Sequence, residues 1–582
     1  MFAEWCEQED PVKLQTIVSP LLMVCALVLV IPAFADETPE SADSRAGAPI
    51  SIHAARFDIS QPLAELPAAQ KVHGGETWER HEHTVPEGIN DLPPDWNGQW
   101  GVRHSPHVHQ TSLGDRGSTP TPTVNVEGLG KGFPNYNFYW APPDTTGAAG
   151  PDKYIQWVNS HYAVFEKDGT VVDLPGNDFV AGSSLWSGFG GACESDNDGD
   201  PIVLYDNASD RWMMSQLAVS SNWGSGPYSE CVAISVTGDP LGSWYRYEYL
   251  WPSNYLNDCP KFGVWPDGYY LTVNQFNAAV NSWRGAGVAV FERAKMLTGD
   301  PSATIQYWNL GVNWGSLIPA DLDGTNEPPN GAPNYLFSAH NGSTDYIDIW
   351  EVSVDWDTPA NSTCGDAGND PNSSIAVTNY ATATGVTQPG GVALDTLSDR
   401  LMHRAGYRNF GDHESIVMVH SVNNPTLMRW YEIRDPGGTP VLYQEGSYQP
   451  DTSERWMGAI AMDQKGNITM GYSVSDASIS PSIRLAGRLT DDPPGVMTIG
   501  EIEAATGSGY QTGYTRWGDY STMSVDPADD CTFWYTGEYV DSVGNLVWQT
   551  RITAVTLPGC NTDLFSDGFE GGDESAWSTS VP

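Results

Sequence analysis

Acidic and guanidinium side chains recur beside strand-like segments in this chain, and their types suggest acid–base chemistry on an anionic substrate. The segment Arg516-Trp517-Gly518-Asp519 precedes a strand-like run, and Glu538-Tyr539 closes the next one. Asp200, Asp258 with Lys261, Gln275, Arg408, and Arg455 hold comparable places upstream, with Arg484, His413 and Glu414 flanking them. Two carboxyls in one cleft can be driven to different pKa values, one serving as acid and the other as base or nucleophile. Arginine's planar fork grips a carboxylate or sulfate through two hydrogen bonds. Asp200, Asp258, Asp519, Glu538 and Tyr539 are therefore the candidate catalytic groups. Arg408, Arg455, Arg484, Arg516, Lys261, Gln275, His413 and Glu414 are the candidate substrate-binding groups. Hydrolysis of an extracellular anionic glycan is the chemistry they fit best. A lyase using His413 or a tyrosine as base is one alternative, and a non-catalytic glycan- or protein-binding surface is another.

These residues are far apart in sequence, so the fold must gather them. Arg516–Tyr539 reads as strand, acidic turn, strand: Tyr520–Val525 and Cys531–Tyr539 are rich in aromatic and β-branched residues, and Asp526-Pro527-Ala528-Asp529-Asp530 supplies the turn. The plan recurs at 201–216, 261–273, 392–404 and 457–472. The turn Asp206-x-x-Ser209-Asp210-Arg211 is matched by Asp395-x-x-Ser398-Asp399-Arg400. The turn markers Asp206, Asp267, Asp395, Asp463 and Asp526 lie at intervals of 61, 128, 68 and 63 residues. The doubled interval leaves room for a copy at 334–350, and 153–167 supplies one before Asp206. Such recurrence of short antiparallel units predicts an all-β fold, a seven-bladed β-propeller of four-stranded antiparallel blades with an irregular N-terminal arm. In that geometry residues opening a first strand and residues closing the second share one mouth of the channel. That places the candidate groups, with Asn274, together, and sends Asp206, Asp395, Asp463 and Asp526 to the opposite end.

The boundaries follow as a signal peptide over 1–35, the arm over 36–130, the propeller over 131–561 and a short tail over 562–582. Leu21–Ile31 is an apolar run too short to span a bilayer comfortably, and Ala33-Phe34-Ala35 is a small-x-small cleavage pattern. The charged residues before it are mostly acidic, with Lys13 the one base, unlike an ordinary signal n-region, and a start downstream of Met1 accounts for that. The formal net charge of −46 repels phosphate backbones and excludes nucleic acid as a partner. No later segment is apolar enough to anchor in a membrane, and a monomer is expected.

Past residue 35 the cysteines are Cys193, Cys231, Cys259, Cys364, Cys531 and Cys560. An even number in an exported chain reads as disulfides: Cys193–Cys231, Cys531–Cys560 and, by remainder, Cys259–Cys364. Asp196-x-Asp198-Gly199-Asp200 offers oxygen ligands at alternate positions, so a structural Ca2+ on Asp196, Asp198 and Asp200 stands against a simple acidic turn. Asp321-x-Asp323-Gly324 is a weaker version. In the arm, His81-x-His83 and His104-x-x-His107-x-His109 have spacings that suit a transition metal, yet no carboxylate or Cys spacing completes a site. They read first as a solvated arm lying over the propeller.

The stretches at 142–159, 199–212, 259–276, 454–473 and 516–539 resemble a widespread, largely uncharacterised family of exported bacterial sialidase-like β-propeller proteins. That resemblance implies the fold and export to the cell surface, periplasm or medium of a Gram-negative bacterium. Sialidases use an arginine triad, which Arg455, Arg484 and Arg516 would mimic, and a Tyr–Glu pair, which Tyr539 and Glu538 would mimic. The Ser-x-Asp-x-Gly-x-Thr-Trp box typical of sialidases is missing, so the resemblance does not carry their activity here. The tail, Phe565-Ser-Asp567-Gly568-Phe569-Glu570, is similar to a terminal motif of exported Gram-negative proteins.

Overall fold

The computed structural model describes residues 47–67, 78–79, 85–86, 89–116, 119–137, 140–219, 226–339, 346–366 and 368–560, within one compact unit spanning 45–582. The segment expected to be a signal peptide, the C-terminal tail and His73, His81 and His83 lie outside the described residues.

The fold is all-β and built largely from antiparallel sheets, several of them four-stranded. Seven strands form the inner layer: Thr145–Ala149, Ile202–Asp206, Leu256–Trp265, Ile318–Leu322, Ala405–Asn409, Glu454–Met462 and Thr522–Val525. These strands pack on one another in that order, and Thr522–Val525 returns to Thr145–Ala149. The arrangement is propeller-like. Innermost strands are buried and carry small residues, as in Thr-Thr-Gly-Ala-Ala, because backbones converge near the axis. Outward from the axis, broad aromatic rings fill the space between sheets. Tyr154 stacks on Trp534 at 5.0 Å, Trp265 meets Tyr407 at 4.7 Å, and Trp456 meets Trp517 at 5.3 Å.

The segment before the sheets is a strap rather than a loose arm. Ile50–His53 pairs with Thr304–Gly311, Arg56–Ile59 with Trp244–Leu250, and Gln99–Trp100 with Ser373–Ala376. Val102–Arg103 and Val108–Gln110 both pair with Val441–Tyr448, and Val124–Glu127 completes the last sheet beside Trp548–Thr556. Each pairing covers an outer edge that would otherwise be open to another chain. Two of the arm's described histidines, His104 and His107, serve this strap. His104 stacks on Tyr443 at 4.9 Å and His107 Nε2 lies 3.0 Å from Ser447 Oγ. Burial, aided by Arg429, holds the His107 pKa down to about 4.

Two expected disulfides form, Cys193–Cys231 and Cys531–Cys560, with Cα separations of 5.8 and 5.6 Å. The third does not. Cys259 lies on an innermost strand, whereas Cys364 sits on the outer Thr363–Cys364 strand of a different sheet, and both are free thiols. Among the described residues no helix is long and apolar enough to cross a membrane.

Candidate functional site

Each innermost strand is preceded by, or bulges at, a non-glycine residue in the left-handed region. These are Asp144 (φ 45°), Asp200 (49°), Cys259 (54°), Ser316 (53°), Arg404 (81°), Met457 (51°) and Asp519 (59°). A side chain at positive φ costs about 1–3 kcal/mol, and such strain concentrates at functional sites. The recurrence turns the chain sharply as it enters the channel and presents several of these residues at one mouth. Nothing in the sequence flagged it.

Carboxyls dominate that mouth. The Arg516 guanidinium donates to Asp519 and lies 3.8 Å from Asp395. The Asp144 carboxylate also acts on it. Gly518 holds the next turn at φ 66°, where a Cβ would come within 2.7 Å of Met457 Cγ. Its N–H donates to Glu538 Oε2 at 2.7 Å. Glu538 is 3% exposed and its Oε1 has no hydrogen-bond partner. Burial, with the nearby Asp519 charge, pushes the Glu538 carboxyl well above the ordinary carboxylate range, against the Gly518 hydrogen bond. Burial likewise raises Asp395, with Asp519 adding to it. Asp200 Oδ2 accepts the Cys259 N–H at 3.1 Å, and Tyr520 Oη donates to the Pro201 carbonyl at 3.0 Å.

The structure thus brings together Asp200, Asp258, Lys261, Arg516, Asp519 and Glu538 from the expected set, through their shared neighbours Cys259, Tyr520 and Gly518. It adds Asp144, Asp395, Arg400 and His403. The other expected residues lie elsewhere. Arg408 faces the opposite end, where it pairs with Asp530 at 2.7 and 2.8 Å and donates to the Met462 carbonyl. His413 and Glu414 flank the adjoining turn, His413 stacked on Phe410 and Glu414 accepting from Tyr407 Oη at 2.6 Å. The mouth rule failed for these three because the innermost strand is Ala405–Asn409, which they close rather than open. Arg455 and Arg484 turn away from the axis to Glu501 on the outermost strand of their sheet, at 2.8 and 2.7 Å, and Arg455 also binds Asp451. No arginine triad therefore assembles with Arg516. Gln275 accepts from Tyr307 of its own sheet and from Trp251 beside it, and Tyr539 Oη donates to Glu127 at 2.7 Å. The turn aspartates Asp206, Asp463 and Asp526 cap their turns as expected, but Asp395 lies at the mouth.

The calcium readings also meet geometry. Asp198 accepts the Val219 N–H at 2.7 Å and Asp196 the Ser195 hydroxyl at 2.7 Å, so with Asp200 turned to Cys259 the three serve separate donors. Asp321 and Asp323 share the Arg404 guanidinium, which takes the place a cation would have. Among the described residues no cluster of three His, Cys, Asp or Glu side chains gathers to hold a metal.

No protein-family model matches the chain, and no curated protein sequence matches it either. Solved structures similar to it include the α-L-arabinofuranosidase of Fusarium graminearum, at 8% identity and TM-score 0.34, over 76% of this chain and 99% of that one. The phage phi92 endosialidase matches at 7% identity and TM-score 0.34, over 63% of this chain and 67% of that one. The Trypanosoma rangeli sialidase matches at 11% identity and TM-score 0.31, over 62% of this chain and 54% of that one. Likenesses this distant transfer neither a residue nor an activity.

Proposed function

We propose that this chain is an exported glycoside hydrolase on a seven-bladed propeller, working at the mouth that holds Asp519 and Glu538. The observation that carries the reading is the split between these two carboxyls. Burial pushes the Glu538 carboxyl well above the ordinary carboxylate range, which suits a general acid, whereas Asp519 is ion-paired with Arg516 and suits the nucleophile or base. Asp144, Asp200 and Asp395 surround them, and the strained backbone at Asp519 fixes the geometry.

The favoured substrate is a glycan without carboxylates, which revises the anionic glycan expected from the arginines. Arg455 and Arg484 are committed to Glu501, Arg516 to Asp519, and Arg408 to Asp530. The mouth that remains is acidic and repels a uronate or sialate. His413, the base of a lyase reading, lies at the other end of the channel. The two disulfides support export. A second reading, a glycan-binding propeller without turnover, draws on the depth of Glu538 and Asp200, only 3% and 4% exposed.

The deciding experiment measures reducing sugar released from neutral and acidic polysaccharides by the wild type, Asp519→Asn and Glu538→Gln. Turnover of a neutral polymer that both variants lose supports the hydrolase. Binding without turnover across the panel supports the second reading.

A further inference from the structure

One arginine on the rim of the mouth stands apart from the rest. The other described arginines are each engaged by a carboxylate or a backbone carbonyl, as Arg246 is by Asp58 and Arg488 by the Asp492 carbonyl. Arg284 meets neither among the described residues. It is half-buried, its Nε is closed off from solvent without a hydrogen-bond partner, and its guanidinium carbon lies 5.8 Å from the centre of the Tyr255 ring. Drawing a guanidinium partly out of water without an acceptor is costly. It is the more unusual in a chain with 73 acidic residues and a formal net charge of −46.

The local backbone accounts for its position. Ser282–Phe291 runs beside Gly268–Asn277, with Trp283 opposite Phe276 and Gly285 opposite Gln275, so Arg284 is the extra residue of a β-bulge. Bulges re-aim a side chain and gather beside functional sites. Gly285 permits this one: it sits at φ 99°, and a Cβ there would come within 2.0 Å of the Gly311 carbonyl oxygen. Trp283 pins the neighbouring position, its Nε1 donating to the Val312 carbonyl at 2.8 Å and its ring 5.2 Å from Phe276. Tyr255 immediately precedes Leu256–Trp265, the strand that carries Asp258 and Lys261. Cation and ring therefore stand together where that strand enters the mouth.

We propose that Arg284, with the Tyr255 ring beside it, is a rim subsite for a sulfate ester carried by the polysaccharide. The polymer rests on the hydrolase reading, whose substrate carries no carboxylate. A sulfate ester stays ionised and offers several oxygens to the planar guanidinium fork. Tyr255 gives the sugar ring that bears it an apolar face. The rim thereby accepts a charge that the carboxyls of the mouth repel, and the charged sugar lies outside the bond being cleaved.

The test is affinity electrophoresis of the full chain through gels holding a sulfated galactan, the same galactan after desulfation, or polygalacturonate. The net charge opposes any general attraction to a polyanion, so retardation reports a local site. The sulfated polymer should bind at least fivefold more tightly than the desulfated one. Arg284→Gln should lose that preference, and Arg284→Lys, which keeps the charge without the fork, should retain only part of it. Arg284→Gln should also melt with the wild type, since no described bond is removed; if it melts earlier, Arg284→Lys carries the comparison. Equal binding of sulfated and desulfated polymer, or a preference unchanged in both variants, overturns the proposal. Tighter Arg284-dependent binding of polygalacturonate overturns the sulfate. Displacement of the polymer by inorganic sulfate at the same concentration of sulfate groups overturns the assignment to a glycan. An Arg284-dependent preference in a protein that cleaves none of these polymers overturns the hydrolase and leaves the subsite standing.

Discussion

The two ends of the channel use the same residue types in opposite states. At the turn end each carboxylate is answered. Asp206 binds Arg293 and Tyr269, Asp530 binds Arg408, Asp463 caps its own turn, and within the channel Asp321 and Asp323 share Arg404. At the mouth Asp144, Asp395 and Asp519 act on Arg516, Asp200 and Asp519 share the neighbour Tyr520, Glu538 accepts the Gly518 N–H, and Arg400 pairs with Asp399. Closed charge sets register between sheets. At the mouth burial raises the Glu538 carboxyl well above the ordinary carboxylate range, and shifts of that kind keep reactivity available.

The comparison breaks most visibly at Arg404. Removing a buried partner from an ion pair costs about 3–5 kcal/mol, and Arg404→Met leaves both Asp321 and Asp323 uncompensated. Urea unfolding should register a loss of that size. Asp519→Asn should do the reverse, lowering hydrolysis by about a hundredfold or more while shifting stability by less than about 1 kcal/mol, because Asp519 is partly open to solvent. If Asp519→Asn unfolds the protein as readily as Arg404→Met, the mouth is merely a second structural lock.

Titration sharpens the contrast with a smaller effect. Burial raises the carboxyls of Glu538 and Glu230 well above their ordinary value of 4.5. Between that value and the raised one, the folded state keeps a proton that the unfolded chain has released. Folded protein then binds more protons than unfolded, so stability falls as pH rises through the window. Denaturation at pH 5 and pH 8 should show the decline, and Glu538→Gln should flatten it. Hydrolysis should fade over the same rise as the general acid deprotonates. A slope unchanged in Glu538→Gln would remove the protonated acid from the mechanism.

Much of the fold was legible because hairpin turns advertise themselves. Asp206, Asp267, Asp463 and Asp526 mark real strand–turn–strand units. Asp395 does not: residues 392–404 form an irregular approach to Ala405–Asn409, and the shared letters with 206–213 reflect local turn chemistry without a ladder. The innermost strands Thr145–Ala149 and Ile318–Leu322 were missed, since small or proline-containing strands near an axis lack the aromatic and β-branched signal. Arg455 and Arg484 were misplaced because sequence gives a strand position but not the partner, here Glu501 on the outermost strand. The left-handed residues of the mouth leave no mark in composition at all, and the strap's two- to four-residue strands are too short for any periodicity to reveal.

The smallest expected effect concerns calcium, and it tests whether the acidic segment at 196–200 belongs with the closed or the open set. A cation site requires several oxygens converging on one point. Here the Asp198 and Asp200 carboxylates are each spent on a backbone N–H, of Val219 and Cys259, and Asp196 on the Ser195 hydroxyl. Those bonds tie the segment to two neighbouring strands and do the bracing a cation would otherwise do. Dialysis against EDTA, followed by thermal unfolding with and without added Ca2+, should therefore leave the midpoint within about 1 °C. A clear fall that Ca2+ reverses would mean that these carboxylates exchange their N–H donors for a metal, and would move the segment into the open set beside the mouth.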